Sequence, residues 1–305
     1  MEALTASRMT SLLTCARQHY WSYEVGLQAA MAPAALRFGT GWHRAMEARW
    51  RRADFATTLA AAVPEGCDLD ELQVATLSGL LSGYFHCYAF DEPVKELHPE
   101  VEFSLPLAGS RTFACAGKID GLGVLHDGRL VLIEHKTTAE DIGPDSDYWL
   151  RLRADGQLMQ YVLAARALGW QLETIIYDVA RKPGIRPQAG ETPEAYSERL
   201  ALDAQSRPAF YFARREVPVL DHDLEEFRVH RLELARQILA LRRAERRVCR
   251  PDQAWPRNVS GLICRGCRFS RFCLQNVTVN PAQPPAGFVF GEKSPELQQK
   301  EVQHA

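Results

Sequence analysis

The stretch "RLVLIEHKT", residues 129–137, runs four apolar side chains directly into Glu134, His135 and Lys136. A short apolar run bounded by turn residues reads as a core strand. Glu134 and Lys136 stand two apart, so both project from one face of it. Upstream, "RTFACAGKIDGLGVL" (111–125) has a second strand pattern, in which Asp120 closes the segment "ACAGKID". A turn at "HDG" (126–128) separates the two. Before them "EVEFSLPL" (100–107) alternates with period two and leads into a turn at "AGS" (108–110). Three strands joined by tight turns predict an antiparallel meander, which sets Asp120 beside Glu134 on neighbouring strands.

Working outward, "SRMTSLLTCARQHYWSYEVG" (7–26) has helical spacing after a serine start, and "GTGWHRAMEARWRRA" (39–53) predicts a helix beginning after its glycines. Residues 68–90 read as another amphipathic helix. "DGQLMQYVLAARALG" (155–169) is a helix with an aspartate start and a glycine stop. "ETIIYDVARK" (173–182) and "PAFYFARREVPV" (208–219) read as strands, and residues 221–247 as a long Arg-rich helix. Past residue 278 the chain is polar and contains proline, which predicts a loose tail. The expected division is a helical region (1–95), an α/β core (96–248), a cysteine segment (249–277) and the tail (278–305).

Composition bounds the function. With 46% hydrophobic and 24% charged residues, the 305-residue chain reads as a soluble globular protein. Its net charge of -2 confines any nucleic-acid contact to local patches. No secretory signal pattern and no bilayer-spanning stretch is visible, so no membrane role and a reducing cytoplasm are expected. There, clustered cysteines read as metal ligands before disulfides. "CRGCRFSRFC" (264–273) supplies Cys264, Cys267 and Cys273, and a tetrahedral site needs a fourth ligand. Cys15 is the best candidate, with a plain buried thiol as the alternative. Cys67, Cys87, Cys115 and Cys249 are expected as buried free thiols.

The chemistry concentrates at Asp120, Glu134 and Lys136. Two carboxylates suit a hard divalent cation, Mg²⁺ or Mn²⁺. The ammonium orients a water or stabilises charge on a phosphate, which makes a kit for phosphodiester hydrolysis. Gln157 and Tyr161 lie four apart on one helix face, within reach of a substrate backbone, and the imidazole of His43 completes a metal shell. Taken singly, each has a plainer reading: ordinary strand charges, a structural histidine, a surface amide and a half-buried ring.

Together these residues resemble the PD-(D/E)xK nuclease superfamily, specifically its RecB-like branch. There a helical histidine, an aspartate, an ExK pair and a QxxxY helix follow in order, here His43, Asp120, Glu134 with Lys136, and Gln157 with Tyr161. The likeness covers roughly residues 5–275. It is similar to iron–sulfur members of that branch, the CRISPR-adaptation RecB-like nucleases and the AddB-type helicase–nucleases. Those bind a [4Fe–4S] cluster through one early cysteine and three later ones spaced C-x2-C-x5-C, matched by Cys15, Cys264, Cys267 and Cys273. The family often has proline after the early cysteine, where this chain has Ala16. Zinc on four thiolates is the alternative.

The resemblance implies a three-layer α/β, restriction-endonuclease-like core with a mixed sheet, closed by an iron–sulfur clamp. It implies metal-dependent hydrolysis of DNA, as an exonuclease on single-stranded ends, in recombination, repair or CRISPR-type processing with protein partners from those pathways. His43, Asp120 and Glu134 would ligate the ion with the backbone carbonyl of His135, and Lys136 would act on the water or the phosphate. Gln157 and Tyr161 would hold the strand. Tyr20, Trp21 and Tyr23, interleaved with Arg17 and His19, are expected either to stack on bases or to pack around the cluster. Arg242, Arg243, Arg246 and Arg247 are candidate phosphate contacts or a solvated face. The rivals are a non-catalytic DNA-binding subunit of a larger assembly and a zinc-stapled RNA-binding protein.

Overall fold

The computed structural model describes residues 1–89, 93–152, 154–280 and 283–298. The chain begins with β1 (Glu2–Leu4), α1 (Ala6–Thr14), α2 (Ala16–His19), a π-helical turn (Tyr20–Glu24) and β2 (Leu27–Ala29). There follow α3 (Ala34–Trp50), α4 (Phe55–Ala62), α5 (Glu71–Cys87), β3 (Val94–Pro106), β4 (Phe113–Leu125) and β5 (Leu130–Thr138). Next come α6 (Asp147–Leu152), α7 (Gly156–Ala167), β6 (Thr174–Arg181), α8 (Pro193–Ser206), α9 (Pro208–Tyr211) and β7 (Phe212–Pro218). The last elements are α10 (Asp221–Ala244), α11 (Gly261–Gly266), α12 (Ser270–Leu274), β8 (Phe288–Phe290) and α13 (Pro295–Gln298).

The expected meander is present. β3 pairs antiparallel with β4, and β4 with β5. The turns between them use Gly109 and Gly128 at φ +83° and +95°, where a side chain would be strained. β6 adds parallel to β5 and β7 antiparallel to β6, so the sheet is mixed. β1 also joins it, parallel to β4 through Glu2↔Phe113 to Leu4↔Cys115.

One edge of β4 is shared, and this shapes the site. β3 covers the opposite edge from Ala114 to Leu125, so β1 and β5 must both lie along the remaining one. β1 takes residues 113–115 and β5 takes 121–124, which leaves a fork at residues 116–120. Buried Gln160 of α7 fills it, its Nε2 donating to Leu4 O at 3.2 Å and Ala116 O at 3.1 Å. Carbonyls left without ladder partners are thus satisfied by a side chain.

Helices cover both faces. α1, α7 and α10 pack on one face around Leu132, Ile175, Tyr177 and Val179. α3, α4, α5 and α8 pack on the other around Val131, Ile133 and Ile176. Alternation along β5 therefore turns Glu134 and Lys136 toward α7, and His135 toward α3 and α5. Among the described residues no helix is long and apolar enough to cross a membrane.

Several boundaries differ from the sequence expectation. α3 starts at Ala34, so Gly39 and Gly41 lie inside it. Gly41 serves packing, because a Cβ there would meet Leu77 Cδ1 at 2.9 Å and Ala62 O at 3.1 Å. Residues 7–26 do not form one helix. Cys15, extended at φ -165°, ends α1, whose N-cap is Thr5 and not a serine. The segment 208–219 opens with a helical turn before β7. Residues 288–290, within the expected tail, pair with β2, while residues 299–305 lie outside the described part. Of the four lone cysteines only Cys115 is buried, and Cys249 is exposed.

Candidate active site

Where β5 leaves β4 at Ile133, its next backbone N–H, that of His135, has no ladder partner on that side. The Asp120 carboxylate takes it at 2.9 Å. The fork in the sheet thus fixes Asp120 against the strand that carries Glu134 and Lys136. On the open side of Asp120, Nδ1 of His43 on α3 lies 3.2 Å from Oδ1. α7, started by the Asp155 carboxylate accepting from Gln157 N at 2.8 Å, brings Gln157 and Tyr161 over the same spot. Gln157 Nε2 donates to Glu134 Oε1 and to Tyr161 OH, each at 3.0 Å, and its Oε1 accepts from Lys136 Nζ at 2.9 Å. Lys136 Nζ is itself 2.5 Å from Glu134 Oε1. Every sequence-predicted residue of this set falls in one cluster. His43, Asp120, Gln157 and Tyr161 line a groove of about 660 Å³ between α3, β3, β4 and the start of α1.

Electrostatics separate the two carboxyls. Burial pushes Glu134 well above the ordinary carboxylate range, the Asp120 charge adds to this, and Lys136 opposes it. Burial raises Asp120 too, but His43 and the backbone N–H of His135 outweigh it and hold the carboxyl below its usual range. Burial lowers His43, and the Asp120 and Glu134 charges more than reverse that. Lys136 is likewise desolvated, yet Glu134 and Asp155 raise it above an ordinary lysine.

Whether these residues suit a divalent cation is tested by Glu134. It is wholly buried and its Oε2 has no hydrogen-bond partner, an arrangement that costs free energy unless a positive group completes it. Oxygen donors of this kind match Mg²⁺ or Mn²⁺. Among the described residues, no group of three or more His, Cys, Asp or Glu side chains is arranged to hold a metal ion. The carboxylates are drawn instead onto Lys136, Gln157 and His43.

Behind the strand lies a network that the sequence reading missed. His135 Nδ1 is 3.1 Å from Asp178 on β6, and Tyr84 of α5 donates a short hydrogen bond to the same carboxylate. Arg214 on β7 approaches Asp178 at 3.3 Å, donates to Tyr84 OH at 2.7 Å, and stacks over Tyr88 at 3.7 Å. Burial raises the Asp178 carboxyl, but Arg214 and His135 lower it further, to about 2. The visible signal was a lone acid in the apolar strand "TIIYDVA".

The four cysteines singled out earlier share one place. Cys15, Cys264, Cys267 and Cys273 all line a cavity of about 20 Å³. Burial raises the Cys267 thiol, and Cys15, Cys273 and Cys264 add to it. An all-thiol donor set has the chemistry of a soft-metal or iron–sulfur site, although these four thiols, like the carboxylates, are not drawn together to hold a metal ion. Cys15 Sγ accepts from Asn258 N at 3.4 Å, and Arg17 bridges to Asp252 at 2.6 Å and to Trp255 O at 2.9 Å. The neighbouring aromatics are packed, not displayed. Trp21 meets Phe272 edge-on and His19 stacks on Trp255, while Trp21 and Tyr23 are buried. Arg242 is bound by Glu2 and Glu24 at 2.6 and 2.7 Å and is not free for phosphate, whereas Arg243, Arg246 and Arg247 are exposed.

Comparison with known proteins bears on the whole of this arrangement. A solved structure described as the crystal structure of SSO0001 shares 14% identity over 90% of this chain and 87% of that one, with a TM-score of 0.38. No curated protein matches the chain. The family model of the PD-(D/E)XK nuclease superfamily matches residues 3–274, from β1 through the forked sheet to the last cysteine. On that span the chain belongs to the PD-(D/E)XK nuclease superfamily.

Proposed function

We propose that the chain is a metal-dependent DNA exonuclease that hydrolyses phosphodiester bonds at single-stranded ends. The observation that carries hydrolysis is the convergence of Asp120, Glu134 and Lys136 at the sheet fork, with His43, Gln157 and Tyr161 around them. The preference for single-stranded ends, and service in recombination, repair or CRISPR-type processing with protein partners, rest on the resemblance to RecB-like nucleases.

His43, Asp120, Glu134 and the backbone carbonyl of His135 are the groups that would hold Mg²⁺ or Mn²⁺. Such an ion neutralises phosphate charge and acidifies a water. The chain's own groups do the rest. Lys136 Nζ already donates to Gln157 Oε1, and turned toward substrate it offers the same protons to a phosphate oxygen or a water. Gln157 keeps Glu134 and Lys136 in register, and Tyr161 carries a hydroxyl into the groove. The Asp178 network holds the strand from behind. Cys15, Cys264, Cys267 and Cys273 would hold a [4Fe–4S] cluster joining the two ends of the core, a structural role.

The decisive experiment digests 5′- and 3′-labelled single- and double-stranded DNA with Mg²⁺ or Mn²⁺. Asp120→Ala and Glu134→Ala should abolish cleavage while DNA binding survives, and Lys136→Ala should cost about 10²-fold or more. Cleavage at the wild-type rate by Asp120→Ala would sink the assignment.

A further inference from the structure

The segment that follows the cysteines returns to the groove. Phe288 stacks on Phe269 at 5.7 Å and meets Phe272 at 5.5 Å, so β8 is anchored on the cysteine segment. β8 pairs with β2 through Leu27↔Phe290, Gln28↔Val289 and Ala29↔Phe288. The two segments then stay in contact, with Gly291 N donating to Gly26 O at 2.8 Å and Gln28 Nε2 to Glu292 O at 2.9 Å. Gly26, at φ +76°, is needed there, since a Cβ would meet Gly291 O at 2.5 Å. This course delivers α13 to the groove, where Glu296 and Leu297 share its lining with His43, Asp120, Gln157 and Tyr161. Thr5, in the groove wall, donates a short hydrogen bond to the Glu296 carboxylate, and Tyr23 OH lies 3.4 Å from it.

We propose that residues 288–298 are a strap that competes with the nucleic-acid strand for the active-site groove, with Glu296 as the internal competitor. The inference rests on the nuclease reading given above. A strand threading the groove brings one negative charge per phosphate, and a fixed carboxylate in the wall repels each of them. The carboxylate also occupies the Thr5 hydroxyl, a donor that suits a phosphate oxygen equally well. α13 is a four-residue helix at the edge of the fold, and Leu297 is 36% exposed, so it is lightly held. Its removal uncovers the groove without touching the residues at the fork. Substrate therefore enters by displacing α13, and Thr5 passes from the carboxylate to a backbone phosphate.

The test compares three proteins, all in the Asp120→Asn background that leaves DNA uncut: the otherwise unchanged chain, a chain stopped after Gly291, and Glu296→Gln. The shortened chain keeps β8 on β2 and loses α13, and Glu296→Gln removes only the charge should shortening impair folding. Fluorescence anisotropy of a labelled single-stranded oligonucleotide should show about tenfold tighter binding for the shortened chain and a smaller gain for Glu296→Gln. With Asp120 restored, KM should fall and kcat should hold. Equal or weaker binding by both variants, while the wild-type chain with Asp120 intact cleaves DNA, overturns the strap and leaves the nuclease reading in place. Absence of binding and cleavage in every protein overturns both.

Discussion

Gln157 donates from Nε2 to Oε1 of Glu134 across 3.0 Å, and its Oε1 takes Lys136 at 2.9 Å. One side chain on α7 therefore ties together the two charged groups that β5 presents. Beyond any contact with substrate, Gln157 therefore positions Glu134 and Lys136 relative to each other. Gln157→Ala should keep the fold yet lower kcat by about 10- to 100-fold, since small misplacement of reacting groups is costly. The half-saturating Mg²⁺ concentration should rise as well. A variant with normal kcat and normal Mg²⁺ dependence would leave Gln157 without this role.

Tyr161 reaches the groove because β4 has no side chain beneath it. A Cβ on Gly117 would meet Phe103 Cζ at 2.9 Å and Tyr161 Cε1 at 3.1 Å. Both rings are buried in an edge-on pair 5.8 Å apart, so neither moves freely. Gly117→Ala should cost about 1–3 kcal/mol of stability by overpacking and shift the Tyr161 hydroxyl away from Gln157. Thermal unfolding reads the first effect and single-strand digestion the second. Unchanged melting and unchanged activity together would show that the rings yield without consequence.

The parts of this fold that could be read in advance are those governed by short-range rules. Period-two alternation and glycine turns gave the meander, and Asp155 and Gly169 framed the helix that carries Gln157 and Tyr161. Other features depend on partners far off in sequence. Gly41 looked like a helix start because its true reason is the neighbouring Leu77. The burial of Asp178 could not be read from its own strand, because Tyr84 and Arg214, which justify it, come from α5 and β7. The return of Glu296 to Thr5 spans 291 positions and has no local signature.

His19 makes stability pH-dependent. Its ring is wholly buried, and burial, with the Arg8 and Arg242 charges, lowers its pKa from 6.5 to about 3. Arg8 Nε donates to its Nε2 at 3.3 Å, a bond that protonation removes. Between these two values the unfolded chain binds the proton and the folded one does not. The stabilisation is therefore complete above pH 6.5 and lost as pH falls toward 3, the loss amounting to about 2 kcal/mol at pH 5. Comparing melting temperatures of the wild type and His19→Phe from pH 7.5 to 5 isolates the effect. The wild type should lose more stability over that range, and parallel profiles would contradict the assignment.

The thiol cavity yields the last prediction. If Cys15, Cys264, Cys267 and Cys273 hold one [4Fe–4S] cluster, protein purified without oxygen should be brown with about four irons per chain. Replacing any of the four by Ala should bleach it, while Cys67→Ala, Cys87→Ala, Cys115→Ala and Cys249→Ala keep the colour. The cost to the fold should be limited, because Arg17 ties the early segment to Asp252 and Trp255 whether or not a cluster is bound. Arg17→Ala leaves the buried Asp252 carboxylate without its closest partner, which costs about 3–5 kcal/mol. Combining it with Cys264→Ala removes both fastenings, so the melting temperature of the double variant should fall well below that of either single one. Colourless wild-type protein with stoichiometric zinc would refute the cluster and leave the carboxylate site untouched. Full iron content in Cys15→Ala would show instead that the fourth ligand lies elsewhere.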